Sequence, residues 1–293
     1  MQRTKSLPSG VIADVIIPYS NVEEPDFDRL SHEVELLDKA GVHGLSVGGI
    51  LGGVIGAAPD ELSALCSAIR RSSKKPVFAT VFPDAFPEAC ELVRAVKDGG
   101  ADVILVAQPH YLAQPGVEGL AELFGGIRAL VRLPLLLADC FAGSLVGVDS
   151  ARTLVQRKLV DGVFEAADMH VLVDLLYSRL DVPVYSCIED LHYPALVLGA
   201  RGFISNIASV FPSECVGLYA SIQGRDHSTA RDIHQRLVRL WRAFDYGTER
   251  EARLRCALAA RGRPVGSPKS PYGRLAPNSS EYVVNALQRE NAL

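Results

Sequence analysis

One pattern recurs along the first two thirds of the chain: a short apolar run, a loop, and a segment with helical periodicity. The runs are apolar throughout rather than alternating, which is typical of strands covered on both faces. Strands that alternate with helices indicate parallel pairing through right-handed crossovers. Eight such units favour a closed (β/α)8 barrel over an open doubly wound sheet, because no GxGxxG motif follows the first run. The predicted strands are 11–17, 44–47, 76–81, 102–107, 134–138, 161–165, 183–186 and 202–205.

The rest of the chain is mostly helical in pattern, and no break in composition calls for a second domain. We expect the barrel to occupy residues 1–206 and a C-terminal helical extension, residues 207–293, to pack on it within one structural unit. The predicted helices of this extension are 213–223, 227–245, 249–260 and a short one near 279–289 that follows a Gly/Pro/Ser-rich link.

Composition excludes several classes of partner. The 293 residues carry a formal net charge of −4, which gives no argument for nucleic acid or an anionic membrane. No run of about 18 apolar residues occurs, so no membrane-spanning helix is predicted. The six cysteines form no CxxC pair, which indicates a reduced, cytoplasmic chain. The histidines lack metal-ligand spacing, and we predict neither a metal nor another cofactor.

Reactive groups of a barrel enzyme lie at the carboxyl ends of its strands and in the loops that follow. After strand two, the GGILGG segment, residues 48–53, could bring backbone N–H groups close to a carboxylate or phosphate. A tight strand-to-helix turn is the simpler interpretation. After strand four, His110 and Tyr111 are candidates for a general acid or base, and an ordinary pair at the rim is the alternative.

Two acids end neighbouring strands, Asp139 on strand five and Glu165 on strand six. They could share acid/base work or hold a metal, but successive residues of a strand point to opposite faces. If Phe164 points into the barrel, Glu165 points towards the helices, where an ion pair is the simpler role. In the same way, if Ala138 points into the barrel, Asp139 points towards the helices.

The exits of strands five and seven carry cysteines. Cys140 and Cys187 are possible nucleophiles, although a free cysteine is more often a small buried hydrophobe. Beyond Cys187, Glu189 and Asp190 could anchor a substrate, and capping of the next helix is the simpler role.

Five segments are informative in their order and spacing: VIIPYS, AGVHGLSVGGILGG, PHYLAQPGVEGL, LPLLLADC and ALVLGARGFISN. Together they resemble the dihydrodipicolinate synthase/N-acetylneuraminate lyase family of class I aldolases. The similarity runs from about residue 10 to residue 245. VIIPYS resembles the family's TPF segment, AGVHGLSVGGILGG its AGVDGLVVLGTTGE, and PHYLAQPGVEGL its PYYNKPSQEGL. LPLLLADC and ALVLGARGFISN are similar to LPVILYNVP and ALALGADGVISV. The resemblance implies a barrel with a helical extension that assembles as a dimer or tetramer.

The resemblance also implies a lysine at the end of strand six, in a GIKD or GIKE segment, that forms a Schiff base with a 2-oxo acid. GVFE stands in that place, so Phe164 occupies the lysine position. Tyr111 matches the tyrosine that relays protons. Ile50 and Leu51 stand where two threonines would bind the substrate carboxylate. Ile204 matches a strand-eight residue whose carbonyl faces the site.

An imine needs a positioned, desolvated amine, and Phe164 cannot supply one. The other lysines precede strands, lie on helices or belong to terminal segments, and among them only Lys269 could reach in from the tail. The predicted catalytic residues are therefore Tyr111 and His110. The predicted substrate-binding residues are Gly49, Ile50, Leu51, Asp139, Cys140, Phe164, Cys187 and Ile204.

Two hypotheses follow. In the first, the chain is a lyase-like enzyme that acts by non-covalent acid/base chemistry on a small 2-oxo acid-like or hydrophobic carbonyl compound. In the second, it is a catalytically inactive homologue that serves as a small-molecule-binding, regulatory or structural subunit. Either way we expect a small-molecule ligand and a homodimer or homotetramer.

Overall fold

Eight parallel strands close into a barrel in chain order, and β1 pairs with both β2 and β8. This computed structural model describes residues 7–20, 24–109, 115–245 and 247–293. The strands are β1 (Gly10–Asp14), β2 (Gly44–Val47), β3 (Val77–Val81), β4 (Val103–Ala107), β5 (Leu135–Asp139), β6 (Gly162–Glu165), β7 (Val184–Ser186) and β8 (Gly202–Ser205). The predicted (β/α)8 barrel is confirmed.

Amphipathic helices follow the strands and cover the outside of the barrel. Asp26 and Asp168 cap α1 and α6, because each side chain accepts a backbone N–H of the first turn. The helices are α1 (Phe27–Lys39), α2 (Pro59–Ser72), α3 (Phe86–Asp98), α4 (Val117–Leu130), α5 (Gly147–Gln156), α6 (Met169–Tyr177), α7 (His192–Leu198) and α8 (Ile207–Val210). Single 3-10 turns occur at Glu189–Leu191 and Gly247–Glu249.

Side chains inside the barrel form an apolar cluster separate from the layer between strands and helices. Because side chains alternate across each strand, every second residue belongs to this interior. Its buried members are Leu7, Ile12, Phe78, Val103, Leu105, Ala107, Leu136, Ala138, Phe164, Tyr185 and Ile204. The interior is therefore filled below the carboxyl ends of the strands, and a ligand inside the barrel has to bind above this layer.

Four further helices follow α8: α9 (Pro212–Gln223), α10 (His227–Phe244), α11 (Arg250–Ala260) and α12 (Pro277–Arg289). Arg255 of α11 is buried and ties them to the chain that leaves β1. Its Nε donates to Glu251 Oε1 at 2.8 Å, and its Nη1 donates to the backbone oxygens of Ile17 and Val265 at 2.9 Å each. The boundary at residue 206 stays a prediction. No helix within the described ranges is long and apolar enough to span a bilayer.

Candidate functional site

A cavity of about 260 Å³ lies at the carboxyl ends of the strands, above the apolar interior. We call it the mouth cavity. Its wall combines aromatic rings, two thiols and several acids. The residues that border it are Asp14, Ser46, Gly49, Ile50, Leu51, Thr80, Phe82, Cys140, Phe164, Ala166, Cys187, Glu189, Ile204, Asn206, Trp241, Asp245 and Arg250. Most of the predicted substrate-binding residues are thus brought together here, while Asp139 is not.

Phe164 forms part of the floor of the mouth cavity. Its side chain is only 6% exposed and belongs to the interior cluster. On the neighbouring strands, Ala138 and Tyr185 stand in register with it, and the small Ala138 leaves room for the ring. An apolar ring therefore occupies the end of β6, where the resemblance implies an amine.

No lysine in the described ranges borders the mouth cavity. Lys269, the one candidate in the tail, donates to Glu61 Oε1 at 2.5 Å and lies 5.0 Å from the centre of the Tyr19 ring. Lys158 borders a larger cavity of about 1140 Å³ among the α5 and α6 ends and the amino ends of β6 and β7. Since barrel chemistry is built at the carboxyl ends, this second cavity is not the candidate site.

Asp14 places a buried carboxyl group in the wall of the mouth cavity. It ends β1, points inward two residues after Ile12, and is 4% exposed. Its Oδ2 accepts from Asn206 Nδ2 at 2.8 Å, whereas its buried Oδ1 has no hydrogen-bond partner among the described residues. Burial raises the pKa of Asp14 to about 6, and Asn206, Ser46 and the backbone of Gly49 act in the opposite direction.

The glycine-rich loop after β2 is shaped around this carboxylate. A Cβ atom added at Gly49 would overlap both Asp14 carboxylate oxygens. The Gly52 N–H donates to the Gly49 oxygen at 3.1 Å, which makes the segment a tight turn. The tight-turn interpretation of GGILGG therefore holds, and the carboxylate that lies against the loop is the protein's own.

Asn206 links Asp14 to a second acid, Glu189. The Asn206 backbone N–H donates to Glu189 Oε1 at 3.0 Å. The other oxygen, Oε2, accepts from Ser205 Oγ at 2.6 Å and lies 2.7 Å from His192 Nε2. His192 is fully buried and stacks on Phe203, with ring centres 4.0 Å apart. Glu189 therefore fastens the start of α8, and it contacts the side chain of His192 at the start of α7 without capping that helix.

The two thiols of the mouth cavity are poor nucleophiles. Burial raises the pKa of Cys140, and the neighbouring carboxylates of Asp139 and Glu165 raise it further. Burial likewise raises the pKa of Cys187, with Glu189 as the next cause. Since the thiolate is the reactive form, both cysteines act here as small apolar wall residues.

The prediction that Asp139 binds substrate is not supported by its position. Because it follows inward-facing Ala138, its side chain leaves the outer face of β5. Its Oδ1 accepts from Gln108 Nε2 at 3.0 Å, and its Oδ2 accepts from the Val146 N–H at 2.9 Å. Asp139 therefore holds the loop between β5 and α5.

Glu165 also points outward, as the alternation predicted, but it forms no ion pair among the described residues. Its Oε1 accepts from the backbone N–H groups of Ala167 and Asp168 at 2.8 Å each. Burial raises the pKa of Glu165 to about 8, with the charge of Asp139 as the next cause. Through its two hydrogen bonds to backbone N–H groups, Glu165 holds the turn that leads into α6.

The two predicted catalytic residues, His110 and Tyr111, lie outside the described residues, and their roles stay predictions. Asp14 was missed because the apolar run suggested a strand over 11–17, which placed Asp14 in its middle. The strand ends at Asp14, so this residue lies at the exit. A single acid in an otherwise apolar first strand was the available signal.

The contact between Asp14 and Gly49 predicts that substitutions at these two positions have strongly non-additive effects on stability. Gly49→Ala should lower the free energy of unfolding by about 1–3 kcal/mol, because the added methyl group overlaps the buried carboxylate. In an Asp14→Ala background the same change should cost much less. Urea unfolding of the four proteins measures this coupling. Gly143→Ala is the matched control, since an added Cβ there meets no atom within 4 Å. Additive effects would contradict the contact.

The pKa of Asp14 predicts that the stabilities of the wild-type protein and of Asp14→Asn depend differently on pH. The folded pKa of about 6 lies above the ordinary 3.8, so ionisation costs the folded state more than the unfolded one. The protonated carboxyl contributes fully to the free energy of unfolding below about pH 4, and this contribution is lost as the pH rises through 6. Between those limits, the free energy of unfolding of Asp14→Asn should rise relative to that of the wild-type protein by up to about 3 kcal/mol. Parallel stability profiles from urea unfolding at several pH values would refute this.

Comparison with known proteins gives a consistent family. The sequence profile of the Dihydrodipicolinate synthetase family matches residues 7–290. The chain is 27% identical over 284 residues to 4-hydroxy-tetrahydrodipicolinate synthase of Methanocaldococcus jannaschii, covering 95% of this chain and 97% of that one. A DapA-like lyase of Pyrococcus horikoshii, itself uncharacterised, is 22% identical over 262 residues, or 87% of this chain and 91% of the other.

Solved structures agree. A dihydrodipicolinate synthase crystal structure has a TM-score of 0.89 at 26% identity and covers 97% of this chain and 100% of its own. YagE, a prophage protein of E. coli K12 solved in complex with pyruvate, shares the fold with a TM-score of 0.92 at 22% identity, covering 98% and 100%. The chain therefore belongs to the dihydrodipicolinate synthetase family of lyases and aldolases.

Proposed function

We propose that this chain is a lyase-like enzyme that works without an imine on a small carbonyl compound bound non-covalently in the mouth cavity. The observation that supports this best is Phe164, an apolar ring in the cavity floor, in a cavity that no described lysine borders. Carbon–carbon and carbon–oxygen lyases share one demand, removal of a proton near a carbonyl or hydroxyl group. That step needs a base but no amine.

Asp14 is the described group best suited to this step. A pKa of about 6 keeps it close to neutrality, where a carboxyl group can both accept and return a proton. The ionised carboxylate takes a proton from the carbon next to the carbonyl, and the carbonyl oxygen takes up the negative charge as an enolate. The proton then returns to that carbon or to a leaving hydroxyl group. Tyr111 and His110 are the proposed partners that protonate the oxygen.

Absence of an imine predicts a negative trapping experiment. Incubation with pyruvate or hydroxyacetone followed by borohydride should leave the intact mass unchanged, because no lysine of the described residues borders the cavity. Mass spectrometry checks this, with a family member that carries lysine in a GIKD or GIKE segment as the positive control. A stable adduct mapped to any lysine of this chain would overturn the proposal.

Acid/base chemistry predicts exchange of hydrogen next to a carbonyl. In D2O, the protein should accelerate loss of the methyl or methylene proton signals of hydroxyacetone or butane-2,3-dione, measured by NMR. The rate should rise with pH through about 6 and then level off, since the ionised form of Asp14 is the base. Asp14→Asn should lower the rate by about 100- to 10,000-fold.

The exchange experiment has a matched control and an opposing outcome. Asp149→Asn removes the same charge at an exposed surface pair with Arg152, and should exchange as fast as wild type. If Asp14→Asn did so too, Asp14 would not be the base.

A non-catalytic role as a binding or regulatory subunit is the second candidate. It is favoured by one observation: with both thiols held protonated by burial, the described wall offers few groups for proton transfer. Ligand binding without any exchange above buffer would favour this role.

We also propose a homodimer or homotetramer. Large apolar side chains are exposed on the adjacent helices α6 and α7, among them Tyr177 at 67% and Val197 at 48%, and such patches are typical of association surfaces. One solved relative is described as a monomeric variant, so sedimentation velocity is the direct check.

A further inference from the structure

The carboxylate of Asp14 fills the space between the Asn206 amide and the backbone of the glycine-rich loop. Asn206 Nδ2 donates to its Oδ2 at 2.8 Å, and the backbone of Gly49 lies against the same oxygen. Donor groups that converge from a side chain and a glycine-rich loop are the usual components of a carboxylate site. Here the first strand supplies the carboxylate, and Gly49 has no side chain in the space that the carboxylate takes.

The remaining charges of the mouth cavity repel a second anion. Three acids border it, Asp14, Glu189 and Asp245. Arg250 is the one base among its described lining residues, and its Nε lies 2.6 Å from Asp245 Oδ1 at the half-exposed rim. A ligand carboxylate would therefore meet two buried acids with no unpaired cation in the described wall to offset them.

One of the two carboxylate oxygens of Asp14 lacks a donor among the described residues. Asp14 is almost fully buried at the cavity, and its Oδ1 has no partner among the described residues. A buried carboxylate oxygen without a donor costs free energy, and a ligand O–H or N–H group would remove that cost. Phe82, Phe164 and Trp241 supply apolar walls for the rest of such a ligand.

We propose that Asp14 determines the charge of the ligand: the mouth cavity takes an uncharged carbonyl compound that carries an O–H or N–H donor, and rejects 2-oxo acid anions. This rests on the proposed function and narrows its substrate class. The protein supplies from its own first strand the carboxylate that a 2-oxo acid would otherwise bring. A cavity of about 260 Å³ limits the compound to metabolite size, since drug-sized ligands need about 300–1,000 Å³.

Binding of matched probes tests this without any assay of turnover. Pyruvate, pyruvamide, hydroxyacetone and butane-2,3-dione are of similar size and differ in charge and in donor groups. Ligand-observed NMR titration of the wild-type chain should give the tightest binding for pyruvamide or hydroxyacetone, weaker binding for butane-2,3-dione, and at least about tenfold weaker binding for pyruvate than for pyruvamide.

Two variants assign the preference to Asp14. Asp14→Ala frees Asn206 and the Gly49 backbone, so it should gain affinity for pyruvate and for acetate by about tenfold or more. Asp14→Asn removes the charge and keeps the shape, so it should lose the discrimination without creating the anion site. Asp149→Asn, which removes one exposed acid, should behave as wild type. Circular dichroism confirms that each variant is folded before titration.

The opposing outcomes are distinct from those of the proposed function. Wild-type binding of pyruvate as tight as that of pyruvamide overturns the inference, and so does failure of every uncharged probe to bind. A folded Asp14→Ala protein that gains no affinity for pyruvate or acetate overturns it as well. In each case the trapping and exchange experiments still decide whether the chain works without an imine.

Discussion

The site depends on one buried contact, the carboxylate of Asp14 against the backbone of Gly49 and the amide of Asn206. It joins the ends of β1, β2 and β8, which are neighbours in the closed barrel. Burying a carboxyl group in an apolar barrel is costly unless donors surround it. The described donor here is the Asn206 amide at the start of α8, and the backbone of Gly49 packs against the same carboxylate, so both segments are fixed by their contact with Asp14.

The fold follows closely from the sequence because its signals are local and repeated. Apolar runs with helical segments between them place all eight strands, with ends shifted by a few residues. The end of β1 differs most, because the strand ends at Asp14 and not at residue 17, and this places Asp14 at the mouth cavity. Beyond Asp14 the apolar run changes partners: the Val15 N–H still donates to the Ser46 oxygen of β2, whereas the Ile17 N–H donates to the Gly52 oxygen in the loop after β2. Hydrophobicity alone cannot tell these two partners apart.

The candidate site was predictable only in part. Alternation along β6 places Phe164 inward and Glu165 outward, as expected, but it does not reveal which donors satisfy an outward acid. Glu189 is the clearest case, because its partners Asn206 and Ser205 are many residues away in the chain. Such pairings depend on the closure of β7 against β8, which no local pattern encodes.

The overlap between a side chain at position 49 and the carboxylate of Asp14 also constrains the order in which this site can arise. A lineage with any larger residue at position 49 cannot acquire an acid at position 14 without a clash in the core. Glycine at position 49 lets the acid enter without this overlap, and once the acid is in place every larger residue at position 49 carries the cost of the overlap. Loss of the acid removes that cost, so we expect the two positions to change in a preferred order, with glycine before the acid on the way in and the acid lost first on the way out.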